Sequence, residues 1–259
     1  MSRRAKSAIQ FAPRRDRVLA DIQELAKYGS VGPSAITRLA FTNEDLAARK
    51  FIISLMKDAG LQVAVDAFGN IFGKRPGRQN RPSVVTGSHL DGPPMGGIYD
   101  GTVGVLGGVE CARLFNELGL ETEYPVEIAV LAAEHLDRFG LGCLGSRAIS
   151  GKLKQLDLQS LTDRNGITIW TALEKAGFSP ERLETVRRTR EDVLAFVELH
   201  IEQGPVLERS REKIGVVTSI SGPTRLAVTV LGETNHSGGT PMGMRRDALV
   251  AAAEIVLAV

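Results

Sequence analysis

Apolar positions recur along this chain at two periods, and the points where one gives way to the other outline its elements. Val18, Leu19, Ile22 and Leu25 fall on one helical face within residues 15–28, and Gly29 ends the run. Leu46, Ile53, Met56 and Ala59 repeat likewise, between a Thr42/Asp45 pair spaced as a capping box and a stop at Gly60. Residues 61–66 alternate as a strand, 70–73 read as its neighbour beyond a Gly69-Asn70 turn, and 83–86 make a third. Val105, Val109, Ala112, Leu114 and Phe115 predict a helix over 101–118. Residues 125–133 are an apolar run interrupted only by Glu127, the pattern of a central strand buried on both faces, and 194–199 is one more strand. Shorter helices are expected over 146–153 and 170–176, the second inside a polar region that reaches Arg190.

Strands joined by helical crossovers of this length predict an α/β fold, a mostly parallel open sheet with helices on both faces. Beyond Gly215 the texture changes. Residues 216–220 and 225–231 read as consecutive strands around Gly222-Pro223, an antiparallel pair opening an α+β lid or dimerisation domain, and Asp247 leads into a helix that runs to Val259. The expected division is therefore a catalytic domain over 1–213 and an incomplete second domain over 214–259. Two strands and one helix cannot cover their own apolar face, so the sequence is expected to be part of a longer protein.

The composition narrows the partners. Lys and Arg number 32 against 30 Asp and Glu, a net charge of +2 that does not favour nucleic acid or an anionic membrane. Arg3, Arg4, Lys6, Arg14 and Arg15 are not followed by a long apolar stretch, so neither a signal peptide nor a spanning helix is expected, and the cytoplasm is the default location. Cys111 and Cys143 lie in apolar or Gly-rich surroundings and are expected as small core residues.

The candidate chemistry gathers where strands end. The four histidines, His89, His135, His200 and His236, each lie at a strand end or in a Gly-rich motif, and the three strand-end ones would converge at one rim of a parallel sheet. A His with aspartates on such a rim suits zinc, manganese or cobalt. The plainer alternative is that His89 caps a turn, that Asp91 and Asp100 fill turn positions and that Glu134 is a surface carboxylate. On the metal reading His89 and His200 are terminal ligands, and Asp100, near a helix N-terminus, bridges two ions about 3.5–4 Å apart. Asp91 accepts the second ring N–H of His89, Glu134 is the general base, and His236, from another module, donates to an oxyanion.

Four motifs carry a resemblance. Gly87-Ser88-His89-Leu90-Asp91, Gly96-Gly97-Ile98-Tyr99-Asp100-Gly101, Glu198-Leu199-His200-Ile201-Glu202-Gln203-Gly204-Pro205, and Asn235-His236-Ser237-Gly238 through Arg245-Arg246-Asp247-Ala248 are similar to those of the N-carbamoyl-L-amino-acid hydrolase, allantoate amidohydrolase and hydantoin-utilisation family, a branch of the two-metal aminoacylase and carboxypeptidase superfamily. The resemblance spans about residue 15 to 259. It implies hydrolysis of a linear amide or ureido C–N bond in a small molecule, two divalent ions (zinc, manganese, cobalt or nickel) and a homodimer formed through the lid domain. It also implies that His89, Asp100 and His200 are metal ligands, Glu134 the base, His236 the lid histidine and Gln203 a substrate contact. Two features depart from the family. His135 stands where a second Glu usually binds the second metal, and the family's last histidine ligand and substrate-binding Arg, which follow the lid, lie beyond Val259. The chain by itself is thus expected to be inactive or poorly folded. A dipeptidase or aminoacylase, and a non-catalytic remnant, are the competing readings.

Overall fold

In the computed structural model the described residues are 12–222, 224 and 226–259. Arg3, Arg4 and Lys6, the turn residue Pro223 and the strand start at Arg225 lie outside them. The chain divides into two units, Met1–Gln203 and Gly204–Val259, whereas the sequence places its boundary between residues 213 and 214.

The first unit follows the predicted order closely. It contains α1 (Arg15–Ala26), a β1 (Ser30–Gly32) and β2 (Ala35–Arg38) hairpin, α2 (Asn43–Asp58), β3 (Gln62–Val65), β4 (Ile71–Arg75), β5 (Ser83–Ser88) and β6 (Gly92–Gly97). Then come α3 (Thr102–Glu117), β7 (Val126–Val130), α4 (Leu144–Ile149), α5 (Gln155–Ser160), α6 (Ile169–Lys175), a 3-10 segment at Pro180–Val186 and β8 (Val193–Val197). Thr42 caps α2 by accepting from the Asp45 N–H, while the Asp45 carboxylate reaches back to the Phe41 N–H.

Five strands form one sheet in the order β3-β4-β7-β5-β8. β7 and β8 both run parallel to β5, with Thr86 opposite Ile128 on one side and Val197 on the other. β4 is antiparallel to β7, and β3 to β4. The mixture follows from the connections: α3 carries the chain back to start β7 beside β5, whereas the short turn after β3 can only reverse it. That turn is held by Asp66 Oδ1, which accepts the Phe68 and Asn70 N–H groups at 3.0 and 2.8 Å. Alternate residues of β7 face different layers. Ile128 and Val130 pack with Val105, Leu106 and Val109 of α3, and Ala129 packs with Phe72 and Val85 on the opposite face. Glu127, the one charge in that run, is buried on this second face, where it accepts from Ser83 Oγ (2.8 Å) and Arg188 Nη1 (2.6 Å).

A small second sheet, β1-β2-β6, stands where the sequence reading has only Gly/Pro loops. Gly92–Gly97 has no alternation of its own. It becomes a strand because β2 offers ladder partners, pairing Ala35 with Gly97, Ile36 with Gly96 and Arg38 with Gly92. The two cysteines, expected in the core, are both exposed.

The second unit departs further. Residues 216–220 and 225–231, expected as an antiparallel pair, form no strand among the described residues, which hold α7 (Val206–Ser210), a 3-10 turn at Met242–Met244 and α8 (Ala248–Ala258). Val216, Val217 and Ile220 are exposed. β-propensity alone does not hold a ribbon without neighbouring strands or a covering layer. Among the described residues no helix is long and apolar enough to cross a membrane.

The helices over the main sheet are joined by an ion pair that yields a prediction. Arg17 of α1 donates from Nε to Glu110 Oε2 (2.7 Å) and from Nη2 to Oε1 (2.8 Å), and the Arg14 N–H adds a third bond at 2.9 Å. Burial pushes the Glu110 carboxyl up, but the Arg17 and Arg14 hydrogen bonds and the Arg17 and Arg113 charges outweigh it and hold it below its ordinary 4.5. A folded-state value below the unfolded one means stability that is present above pH 4.5 and is lost as pH falls through the folded value. Glu110→Gln is expected to cost about 2 kcal/mol at pH 7. It is also expected to flatten the fall in stability below pH 4.5. Urea unfolding across pH 3–7 measures both, and an unchanged midpoint would count against this pair as a contributor.

Candidate metal centre

Three adjacent parallel strands end at one rim of the sheet, and each delivers polar side chains there. β5 runs out into His89 and Asp91, β7 into Glu134 and His135, and β8 into His200 and Gln203, while Asp100 just precedes α3.

Asp100 stands at the centre. Its Oδ1 lies 3.3 Å from His200 Nε2 and 3.9 Å from His89 Nε2, and its Oδ2 lies 3.2 Å from His135 Nε2. Glu134 Oε2 is 3.9 Å from His89 Nε2 and 3.8 Å from His135 Nε2. Single donor atoms of His89, Asp100 and His200 lie within 4.8 Å of one another, as do those of His89, Glu134 and His135. Two ligands each about 2.1 Å from a tetrahedral ion stand about 3.4 Å apart, so these spacings suit donors that share a cation.

The ring orientations point the same way. His89 Nδ1 is 2.9 Å from the Asp91 carbonyl oxygen, and His200 Nδ1 is 2.9 Å from that of Ile201. A carbonyl only accepts, so both rings carry a proton on Nδ1 and the neutral ring turns a bare Nε2 lone pair toward the same carboxylate oxygen. Lone pair against carboxylate is repulsive unless positive charge lies between them. Imidazole nitrogen and carboxylate oxygen are donors for zinc-like ions, and the residues fit a divalent metal.

Electrostatics sort the acids. The hydrogen bond from His135 holds the Asp100 carboxyl below the usual range against its partial burial. Burial pushes Asp91 up, opposed by His89 and by two backbone amides. For His135 burial acts downward, but the bond to Asp100 and the charges of Asp91, Glu134 and Asp100 win, and its value rises.

Asp91 accepts the His89 ring N–H, and it does so through its main chain. Its backbone carbonyl, not its carboxylate, engages the His89 ring, and the carboxylate accepts the N–H of Glu134 at 3.1 Å and of His135 at 2.9 Å. The turn after β5 brings the carbonyl to the ring and sends the side chain across to the exit of the neighbouring strand. Asp91 thus holds the backbone of two other candidate residues.

Close backbone approaches set the remaining positions. Gly101 has φ +65°, and a Cβ there would sit 2.6 Å from three atoms of the His89 ring. A Cβ on Gly104 would sit 2.5 Å from the Leu199 carbonyl oxygen, so α3 can lie against the exit of β8 only with glycine there. Ser88 Oγ donates to Glu198 Oε1 at 2.5 Å and ties the ends of β5 and β8 together. Ala133 (φ 52°) and Gln203 (φ 55°) adopt left-handed backbone although neither is glycine, a strain that clusters at functional sites. Gln203 Nε2 donates to Asp100 Oδ1 at 2.9 Å.

The first unit thus brings together His89, Asp91, Asp100, Glu134, His135, His200 and Gln203. His236 belongs to the second unit, where its Nδ1 accepts the Gly238 and Gly239 N–H groups at 3.1 and 2.9 Å. Its ring proton therefore sits on Nε2 in the neutral form. Two residues at the site escaped the sequence reading. Cys143 places Sγ 3.5 Å from Glu134 Oε1, with no local signal to announce it. Asp137 Oδ2 lies 3.6 Å from His135 Nδ1, and its signal was there: His135-Leu136-Asp137 repeats the spacing of His89-Leu90-Asp91.

Residues 83–258 match the profile of the peptidase family M20/M25/M40. An N-carbamoyl-L-amino-acid amidohydrolase of Paenarthrobacter aurescens is 43% identical over 242 residues, covering 93% of this chain and 58% of that protein. A ureidoglycolate hydrolase of Oryza sativa subsp. japonica is 40% identical over 248 residues, 94% of this chain and 51% of that protein. The crystal structure of a hydantoinase/carbamoylase family amidase from Burkholderia multivorans superposes with a TM-score of 0.78 at 37% identity, covering 94% of this chain and 59% of the other. The chain spans between half and three fifths of the length of these relatives.

Proposed function

Because this chain belongs to the peptidase family M20/M25/M40, we propose that it is a metal-dependent amidohydrolase that cleaves a linear ureido C–N bond, in an N-carbamoyl-L-amino acid or an allantoate-like ureide. The observation that carries the reading is the pair of Nδ1-anchored imidazoles, His89 and His200, that aim Nε2 at one oxygen of Asp100.

On this reading His89, Asp100 and His200 hold one ion, and Asp100 with His135 contributes to a second, each zinc, manganese, cobalt or nickel. When bound, the ions supply Lewis acidity at the carbonyl and lower the pKa of water. Glu134 takes the proton of the attacking water and delivers it to the nitrogen that departs as the C–N bond breaks. Asp91 keeps the Glu134 and His135 backbone in place through its two accepted N–H bonds. His236, with its proton on Nε2, suits donation to the oxyanion, and the Gln203 amide suits a polar substrate group. Homodimerisation through Gly204–Val259 belongs to the same proposal, supported by the exposed apolar side chains of Leu249, Val250, Val256 and Leu257 on α8.

The test is ammonia release from N-carbamoyl-L-amino acids and from allantoate by protein supplied with manganese, zinc or cobalt. Release that stops on chelation and returns with metal is the expected result. Metal uptake without hydrolysis of any ureide would favour a second reading, a metal-binding chain without turnover. The absence of strands among the described residues of the second unit supports that alternative.

A further inference from the structure

The largest fully buried side chains among the described residues include a cation. Arg38, on β2, is fully buried and lies opposite Gly92 in the β2–β6 ladder, one residue beyond Asp91. Its donors go to carbonyls in two places. Nε reaches Leu90 O at 2.8 Å, and Nη1 reaches Leu25 O at 3.0 Å and Tyr28 O at 3.3 Å, at the C-terminal end of α1. Nη2 has no hydrogen-bond partner among the described residues. Neither nearby acid bonds the guanidinium: Asp45 pairs with Arg49 through Oδ2 at 2.9 Å and leaves Oδ1 without a partner among the described residues, and Asp91 accepts two backbone amides. Burial drives the guanidinium down to about 10 against the pull of Asp45 and Asp91.

A buried charge with one idle donor is costly to keep, and the other donors of Arg38 go to main-chain carbonyls. What the guanidinium does hold is Leu90, the residue between His89 and Asp91. The peptide geometry of that turn fixes two further contacts: the Asp91 carbonyl that takes the His89 Nδ1–H, and the Asp91 carboxylate that takes the Glu134 and His135 N–H groups. One carbonyl held from below thereby sets the orientation of a ring on β5 and the backbone of two residues beyond β7.

We infer that Arg38 is a positioning residue of the metal centre, its guanidinium holding the Leu90 carbonyl so that the His89–Asp91 turn presents His89, Glu134 and His135 together. The inference rests on the metal-binding reading of the site and adds a residue that touches none of the proposed ions.

Cobalt(II) is the probe, since its visible absorption reports both affinity and coordination. Arg38→Lys and Arg38→Met are titrated with cobalt beside the wild type, with far-ultraviolet circular dichroism and the metal-free melting temperature as fold controls. The expected result is a cobalt affinity at least tenfold weaker in folded Arg38→Met, with an altered absorption band, and a partial return toward wild type in Arg38→Lys, which can still donate to one carbonyl. A folded Arg38→Met with wild-type affinity and spectrum overturns the inference. So does failure of both variants to fold, because Arg38 would then serve the core. A wild type that takes up no cobalt sinks the metal reading itself, a different result from either.

Discussion

Asp100→Asn is expected to release the metal from this protein, lowering affinity by more than about 100-fold, beyond the loss typical of a residue that only supports a ligand. The substitution preserves shape and removes one property. Asp100 presents Oδ1 to His89 and His200 and Oδ2 to His135, a carboxylate placed among all three imidazoles. An asparagine at this position turns an N–H₂ group toward a ring nitrogen on one side and offers a neutral oxygen on the other. Three imidazoles then face a site without its central negative charge, and bringing a dication among them costs more. Metal analysis after dialysis against a weak chelator gives the number directly. Retention of the wild-type metal content by the asparagine variant would remove Asp100 from the centre and the two-ion arrangement with it.

Glu134→Gln is expected to separate chemistry from binding, reducing turnover by about 10²- to 10⁴-fold while the metal content stays at the wild-type level. Glu134 lies close enough to the imidazoles to serve the same small volume, yet its side chain keeps 39% of its exposure and is open to water. Its main chain is fixed on two sides: the Asp91 carboxylate accepts its N–H at 3.1 Å, and the Cys143 N–H donates to its carbonyl at 2.7 Å. Glutamine therefore inherits the position and loses only the ability to carry a proton. Steady-state ammonia release with parallel metal analysis reads both quantities. Turnover at the wild-type rate would exclude Glu134 as the base, and a parallel loss of metal would make it a ligand.

Several features of this arrangement are legible without coordinates because they depend on neighbours in sequence. Thr42 and Asp45 mark the start of α2, the helix after Asp100 begins at Thr102, and the apolar runs around Val85 and Val130 become strands that end at Ser88 and Val130, ahead of His89 and Glu134. Three of the four motifs name residues that meet, His89, Asp100 and His200. What they do not name is how those residues meet. Asp91 looks like a partner for the ring beside it, but its carboxylate crosses to amides on the next strand exit. Residues 216–220 have the apolar character of a strand and form none among the described residues, since pairing is decided by what lies alongside. The same holds in reverse for Gly92–Gly97, which lacks strand character and is drawn into a ladder by β2.

The sequence by itself determined which side chains could bind a metal and that they stand at the ends of strands, because periodicity, caps and glycine stops act over a few residues. Tertiary structure alone decided that β7, β5 and β8 lie side by side, that two imidazoles share one oxygen of Asp100, and that a buried Arg38 donates to the Leu90 carbonyl in the His89–Asp91 turn. Those relations join residues far apart in the chain, and they are selected by the packing of whole layers, which no local pattern encodes.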